Sequence, residues 1–252
     1  MTPLALYREG RLREAIKALG EELRSNPTDA RRRTFLFELL VFAGEFDRAE
    51  KQLDILAGTN ADAAAGTLLY RSALHAERTR QAMFANGETP AQKQEAIHDG
   101  SWTGPSGAAS AFAELNDADP RIGPNLEVFI AGSYTWIPIH YLRKLEIQAP
   151  VNLRDLVWAQ ARVETSSDFR LQDLGEVLLP ALCPLSYRHA DEVVQLGRES
   201  AWEPDETYGQ LPYGLKMMDV DGVDVPLLEM RSIAWNAPEK ESEGKESQDA
   251  SA

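Results

Sequence analysis

Two stretches of the sequence lie 34 residues apart and decide the fold: GRLREA at residues 10–15 and GEFDRA at residues 44–49. The match continues beyond them, because Leu19 and Leu53 are separated by the same offset. The glycine that opens each copy suits a turn, where a left-handed backbone costs little. The alanine that closes each copy leaves room for two helices to approach closely. A fixed period of this length predicts repeated pairs of helices.

The period resembles the tetratricopeptide repeat (TPR), in which an alanine is followed by a large apolar residue and then by a proline. Pro27 supplies that proline in the first copy and is expected to end a helix. Apolar residues recur at steps of three and four across residues 35–43, as one buried helix face requires. Asp29 suits the N-cap of that helix. With a third helix at about residues 61–85, we predict a TPR-like helical repeat domain over residues 1–85.

Helical repeats of this kind present a concave surface that accepts a peptide or a helix, and the first helix of each pair lines it. Following those helices outward from the glycine turns gives ten candidate partner-binding residues: Tyr7, Arg8, Arg31, Thr34, Glu38, Val41, Phe42, Leu68, Ser72 and His75. The alternative is that the repeats pack on the rest of the chain, which would leave the groove occluded. Two and a half repeats cannot bury a core alone, so a downstream segment should cap them.

The composition changes after the helices. Glycine, proline and serine dominate residues 86–110, which predicts a linker. Short β-like runs fill residues 111–237, and Asp221-Gly222 between two of them indicates a two-residue hairpin turn. Many short strands with frequent turns predict a β-rich, small-barrel-like domain or a highly bent sheet. Residues 238–252 are polar and acidic, which predicts a disordered tail. The predicted fold class is therefore α+β.

Overall composition bounds the partners and the compartment. The formal net charge of −14 argues against a nucleic-acid partner, because phosphate contacts need a local excess of Lys and Arg. No apolar run approaches the roughly 20 residues of a membrane-spanning helix, so no membrane partner is expected. Cys183 is the single cysteine, which excludes an internal disulfide and suits a reducing compartment. We expect a cytoplasmic protein.

Few residues are candidates for catalysis. The four histidines fall in no metal-ligand motif, and Cys183 lies in no nucleophile motif. The most suggestive cluster is Asp117, Asp119, Arg121 and Glu127, which could perform acid–base work or hold a cation. The structural interpretation is that Arg121 pairs with one carboxylate while another caps a turn. We favour this interpretation, which requires no metal and no cofactor and predicts that the chain is not an enzyme.

Four blocks of the second half carry a family resemblance: DADPRIGPNLE (117–127), GSYTWIP (132–138), PVNLRDLVW (150–158) and VPLLEMR (225–231). Together they resemble the ImpE/TagJ family, also called SciE-type. The matching positions, to which we assign a structural role, are Asp117, Asp119, Arg121, Gly123, Pro124, Glu127, Trp136, Arg154, Asp155, Trp158 and Arg231.

The resemblance implies an accessory protein of a type VI secretion system. It implies further that the partner is the small subunit of the contractile sheath, bound by its N-terminal helix. The resemblance also implies that the protein acts alongside the AAA+ ATPase that disassembles contracted sheath. On this basis the sequence indicates a non-catalytic adaptor. Two rival hypotheses stay open: an enzyme with a carboxylate/arginine site in the β-rich domain, and a purely structural scaffold or chaperone.

Overall fold

The structure is a computed structural model that describes residues 1–58, 61–90, 99–170 and 174–236. Five helices form its first half: α1 (Pro3–Arg8), α2 (Leu12–Ser25), α3 (Ala30–Phe42), α4 (Phe46–Ala57) and α5 (Ala61–Ala85). Gly10 and Gly44 form the predicted turns with φ of +80° and +69°. Ala15 and Ala49 are fully buried between helices. Asp29 caps α3 by accepting a hydrogen bond from a backbone amide at 3.0 Å. The predicted TPR-like helices are confirmed.

The second half contains thirteen strands, one short α-helix and four 3₁₀ turns within the described residues, and the strands and the α-helix have the following bounds. They are β1 (Gly100–Thr103), β2 (Ala109–Phe112), β3 (Leu115–Asp117), β4 (Asn125–Ile130), β5 (Ser133–Pro138), β6 (Leu142–Ile147), β7 (Trp158–Thr165), β8 (Gly175–Pro180), α6 (Glu192–Gln195), β9 (Ser200–Asp205), β10 (Gly209–Gly214), β11 (Met217–Val220), β12 (Val223–Pro226) and β13 (Ser232–Trp235). The α+β class, with helices first and strands after, is confirmed.

Eight of these strands form one antiparallel sheet in the order β2-β1-β13-β6-β7-β8-β4-β5. In the described part of the chain this order is open, with β2 and β5 at its edges. A three-stranded sheet, β12-β11-β3, shares a core with it through side chains such as Leu115, Met218 and Val220. The predicted hairpin turn lies between β11 and β12, where Asp221 and Gly222 have φ of +53° and +81°. A separate hairpin joins β9 to β10.

The predicted linker over residues 86–110 is wrong where β1 and the start of β2 lie. Each residue of β1 pairs with β13 on one side and β2 on the other, beginning with Gly100 opposite Trp235. The glycine here serves close packing, because a Cβ atom at Gly100 would lie only 2.1 Å from the Ala234 carbonyl oxygen. Small residues that favour a loop by composition are therefore required by crowding inside the sheet.

The helices and the sheet share one hydrophobic core. Leu36, Phe37 and Leu39 of the helices belong to the same buried cluster as Trp158 of β7 and Leu178 of β8. The ring of Phe37 lies 6.3 Å from that of Trp158, centroid to centroid. The segment that caps the repeats is therefore the chain's own β-rich half, and the two halves form a continuous packed unit.

Two other predictions concern the acidic tail and a membrane-spanning helix. The predicted acidic tail, residues 238–252, lies outside the described residues. Within them, no helix combines the length and the apolar character needed to cross a membrane.

Candidate partner-binding groove

Three of the ten predicted groove residues are buried, and their assignment to an open surface is wrong. Val41 and Phe42 are 5% and 1% exposed, and they belong to the core shared with the β-rich half. Glu38 is also buried, and it forms an ion pair with Arg154 at 3.0 Å. The physical reason is that the β-rich half occupies the face of α3 that an open repeat would leave to a partner.

The predicted residues on α1 are partly used inside the chain. The ring of Tyr7 packs edge-on against Phe35, with centroids 5.9 Å apart, and the guanidinium of Arg198 lies 4.5 Å from the Tyr7 ring centroid. Arg198 also donates hydrogen bonds to the carbonyl oxygens of Tyr7 and Arg8 at 2.6 and 2.9 Å. This end of the repeat is therefore tied to the segment after α6.

The other predicted residues remain at the surface. Arg31 and His75 are exposed, and Thr34 is half-buried with its hydroxyl donating to the Ala30 carbonyl at 3.0 Å. None of the three borders the large cavity of the structure. Leu68 and Ser72 do, and they are the two predicted residues that the fold brings together at an open site.

That open site is a groove of about 930 Å³ between α5 and the outer face of the eight-stranded sheet. One wall is a stripe on α5 formed by Ala65, Leu68, Leu69 and Ser72, which recur at steps of three and four residues. Leu68 and Leu69 are 65% and 49% exposed. The stripe lies on the first half of α5, ahead of the part of the helix whose side chains are fixed to the sheet.

The floor and the far end of the groove come from the β-rich half. Gln160 and Arg162 of β7 and Glu176 of β8 project from the sheet, and Val151 stands 87% exposed in the loop before β7. The turn between β4 and β5 closes one end, because a Cβ atom at Gly132 would lie 3.3 Å from the side chain of Ser72. The groove thus has one apolar wall and a polar floor.

The second half of α5 is fixed to the sheet by a buried ion network. The Arg80 guanidinium donates from Nε and Nη2 to the two carboxylate oxygens of Glu127 at 2.7 and 2.9 Å, and from Nη2 to the Leu182 carbonyl at 2.9 Å. Its Nη1 lies 3.2 Å from Glu77 Oε1. Lys216 Nζ donates to Glu127 Oε2 at 2.6 Å. We call these five residues, with Leu182 contributing its carbonyl, the α5 clamp.

Asp117 extends the clamp toward the turn before β4. Lys216 Nζ lies 2.5 Å from Asp117 Oδ2 in a contact of opposite charges without the alignment of a hydrogen bond. The other carboxylate oxygen accepts from the Asp119 amide at 3.0 Å. Asp119 in turn pairs with Arg121, whose Nη2 donates to Asp119 Oδ2 at 2.6 Å. All of these side chains are buried in mutual pairs, the arrangement that the structural interpretation of this cluster requires.

Burial and charge set the pKa values of the cluster in opposite directions. Burial raises the pKa of Asp117 to about 7, because it disfavours the carboxylate more than Lys216 stabilises it. Burial also disfavours the carboxylate of Glu127, but Arg80 and Lys216 outweigh it and hold the Glu127 pKa below its ordinary range. Burial raises the pKa of the Cys183 thiol, which makes it a poor nucleophile.

The remaining residues of the family resemblance also make structural contacts. Trp158 Nε1 donates to Glu77 at 2.9 Å, and Trp136 Nε1 donates to the Tyr134 hydroxyl, which donates to Glu127. Arg154 contacts Tyr70 and Glu38. Asp155 accepts hydrogen bonds from the amides of Val151 and Asn152. Arg231 Nη1 donates to the carbonyls of Leu228 and Met230. Gly123 has φ of +54°, and the Pro124 carbonyl accepts from the Ile139 amide.

Sequence reasoning missed Arg80, Glu77 and Lys216. A signal was present for Arg80, because it falls at helical spacing with the buried Ala73 and Ala76 and is thus a charge on an apolar face. A charge there needs a buried partner of opposite sign.

Among the described residues, no group of three or more His, Cys, Asp or Glu side chains has the arrangement of a metal site.

These features define a class of protein: a short TPR-like array whose concave face is filled by its own β-rich half, with an open groove beside the last helix. A family model described as ImpE protein matches residues 109–234, and a tetratricopeptide repeat model matches residues 6–71. The type VI secretion system accessory component TagJ of Pseudomonas aeruginosa is 32% identical over 257 aligned positions, covering 90% of this chain and 89% of the relative. The chain belongs to the ImpE family.

The fold has a counterpart among solved structures. The crystal structure of a protein from Vibrio parahaemolyticus superposes with a TM-score of 0.77, at 21% sequence identity. The match covers 93% of this chain and 97% of the other. At this identity the likeness concerns the fold, in which the helical repeats and the β-rich half occur together.

Proposed function

We propose that this chain is a non-catalytic accessory protein of a type VI secretion system that binds another protein in the groove beside α5. The 32% identical relative carries the name of such an accessory component. The groove is the observation that carries the binding role, because its exposed leucines form a contiguous apolar wall beside a polar floor. The carboxylate cluster supports a structural role, since Asp119 and Glu127 are each 1% exposed and engaged in ion pairs.

The proposed occupant is the N-terminal helix of the small sheath subunit. A helix about 10 Å across has a cross-section of about 80 Å², so a volume near 930 Å³ holds about 12 Å of helix, or roughly two turns. The stripe from Ala65 to Ser72 on α5 has the same length, since seven residues rise about 10.5 Å. Two turns of an amphipathic helix would therefore lie along the α5 stripe with their apolar face against Leu68 and Leu69.

In this proposal the protein acts in the cytoplasm beside the AAA+ ATPase that disassembles contracted sheath. It would hold the helix of a sheath subunit while the ATPase works on that subunit. Cys183 is the single cysteine and is buried and free, which is consistent with a reducing compartment. A direct contact with the ATPase is not needed for this role.

The test is a titration of a fluorescent peptide, the N-terminal helix of the cognate small sheath subunit, followed by anisotropy. The full chain is used, because residues 1–85 share their core with the sheet. Leu68→Glu is expected to weaken binding by at least about tenfold, since burying a leucine contributes about 1.5–3 kcal/mol. Ile55→Glu is the matched control, because Ile55 is an exposed apolar residue of α4 that does not border the groove.

Saturable binding that Leu68→Glu weakens and Ile55→Glu leaves unchanged would support the adaptor. Absence of binding by the parent chain would contradict it and favour a second candidate, a structural scaffold. The observation behind that candidate is the occluded concave face, where Phe42 packs in the shared core. A scaffold predicts no affinity for isolated helices.

A further inference from the structure

Negatively charged side chains outnumber positively charged ones along the groove. Among the described residues that border it, three carboxylates, those of Glu146, Asp155 and Glu176, stand against a single guanidinium, that of Arg162. The sheet register places two of these carboxylates and the guanidinium in one row across the floor. Glu146 of β6 and Glu176 of β8 are the cross-strand neighbours of Arg162 on β7. The floor therefore carries an excess of negative charge.

The three carboxylates differ in how far the chain itself compensates them. Glu146 forms an ion pair with Lys144 at 2.7 Å. Asp155 accepts hydrogen bonds from the amides of Val151 and Asn152 at 2.9 and 2.7 Å. Glu176 is exposed, and within the described part of the chain no Lys, Arg or His nitrogen lies within ion-pair distance of it. A bound helix would cover this carboxylate and remove part of its water.

We propose that the groove selects an amphipathic helix whose polar face is basic, with a lysine or arginine placed against Glu176. The inference rests on the proposed function, since it concerns the same groove and gives the chemistry of its occupant. A carboxylate that loses water on binding needs a positive partner, and an acidic helix would meet like charge along the floor. The apolar wall formed by Leu68 and Leu69 is indifferent to charge. It follows that the floor sets the selectivity and the wall supplies the general affinity.

The test uses two model helical peptides that share one leucine stripe and differ in their polar face, which is lysine in one and glutamate in the other. The full chain should bind the lysine peptide at least about tenfold more tightly at low salt, and added salt should narrow the difference. Glu176→Lys should weaken the lysine peptide about tenfold and strengthen the glutamate peptide. Glu164→Lys is the matched control, because Glu164 is exposed on the neighbouring strand, β7, two residues beyond Arg162, but does not border the groove.

The outcomes separate the inference from the proposed function. Equal affinity for the two model peptides, or equal effects of the two charge reversals, overturns the inference even where the sheath peptide binds. Preference for the lysine peptide that Glu176→Lys reduces and Glu164→Lys leaves unchanged supports the inference, even where the sheath peptide fails to bind and the sheath assignment falls. Failure of all three peptides to bind the parent chain overturns both.

Discussion

The α5 clamp makes a quantitative prediction through Arg80. Arg80→Ala removes both hydrogen bonds to Glu127, the one to the Leu182 carbonyl and the ion pair with Glu77. The carboxylates of Glu127 and Glu77 then remain buried with less positive charge around them. Removing one partner of a buried pair costs about 3–5 kcal/mol, which is a large share of a typical unfolding free energy of about 5–15 kcal/mol. We expect Arg80→Ala to lower the free energy of unfolding by about 3–5 kcal/mol.

The control for this change is Arg78→Ala on the same helix. Arg78 also forms two ion pairs, with Asp47 and Glu50 at 2.9 and 2.8 Å, but the Asp47 side chain is 92% exposed. Exposed pairs contribute about 0–1 kcal/mol, so this variant should unfold nearly like the parent. Arg80→Lys is an intermediate variant, because a lysine keeps the charge but cannot reproduce the two-bond geometry toward Glu127.

The measurement is urea unfolding followed by far-UV circular dichroism and by tryptophan fluorescence. Two of the five tryptophans lie at the clamp, because Trp158 donates to Glu77 and Trp136 is linked to Glu127 through Tyr134, so the fluorescence includes a signal from the clamp. The order of stability should be parent, Arg78→Ala, Arg80→Lys and Arg80→Ala, with equal slopes against urea where unfolding stays two-state. Losses for Arg80→Ala and Arg78→Ala that agree within about 0.5 kcal/mol would refute the reasoning, because they would make the buried network as weak as a surface pair.

Three further predictions follow from burial, backbone geometry and pKa. Phe42→Glu should abolish folding, because Phe42 is 1% exposed and a charge there would be buried. Leu68→Glu should leave the unfolding free energy nearly unchanged, because Leu68 is 65% exposed. Equal soluble yields and equal melting temperatures of the two variants would contradict this. Gly44→Ala should destabilise more than Gly87→Ala, because both glycines have positive φ but only at Gly44 would the new Cβ meet a side chain, at 2.2 Å; equal thermal shifts would show that the ring there moves aside. The pKa of Asp117 is raised, so its contribution to stability falls as pH rises from about 4 to about 7; Asp117→Asn should gain on the parent over that window, and a constant difference would count against it.

The helical half of the fold was predictable because its signals are local. The 34-residue period repeats a short motif, and the turn and helix signals within each copy lie between neighbouring residues. The structure shows Gly10 and Gly44 in turns. The occluded groove was predicted only as the alternative, because the open-groove prediction used one apolar face of α3. Phe37, Val41 and Phe42 lie off that face, and all three are buried. Residues 35–42 of α3 are apolar except at Glu38, and a helical segment that is apolar on all sides is buried, so this segment already indicated a second packing surface.

The β-rich half was predictable as a set of strands but not as a sheet order. The Asp221-Gly222 turn is a local signal, whereas the pairing of β1 with β13 joins residues more than 100 positions apart. Gly100 is the instructive case, because a glycine in a strand reads as a loop unless the crowding by the opposite strand is known. The ion pair of Arg80 with Glu127 is likewise a contact across 47 positions, and neither residue alone indicates its partner.

Glu127 of the family resemblance and the two leucines of the groove wall act at different parts of α5. Glu127, from the first of the family blocks, contacts α5 at Arg80 and fixes the second half of that helix to the sheet. Leu68 and Leu69 lie three turns earlier on α5, where the helix stands away from the sheet and the groove opens. This part of the resemblance therefore concerns the joint between α5 and the sheet. The choice of partner depends instead on the α5 stripe and on Glu176, so a change there should alter binding while the fold persists.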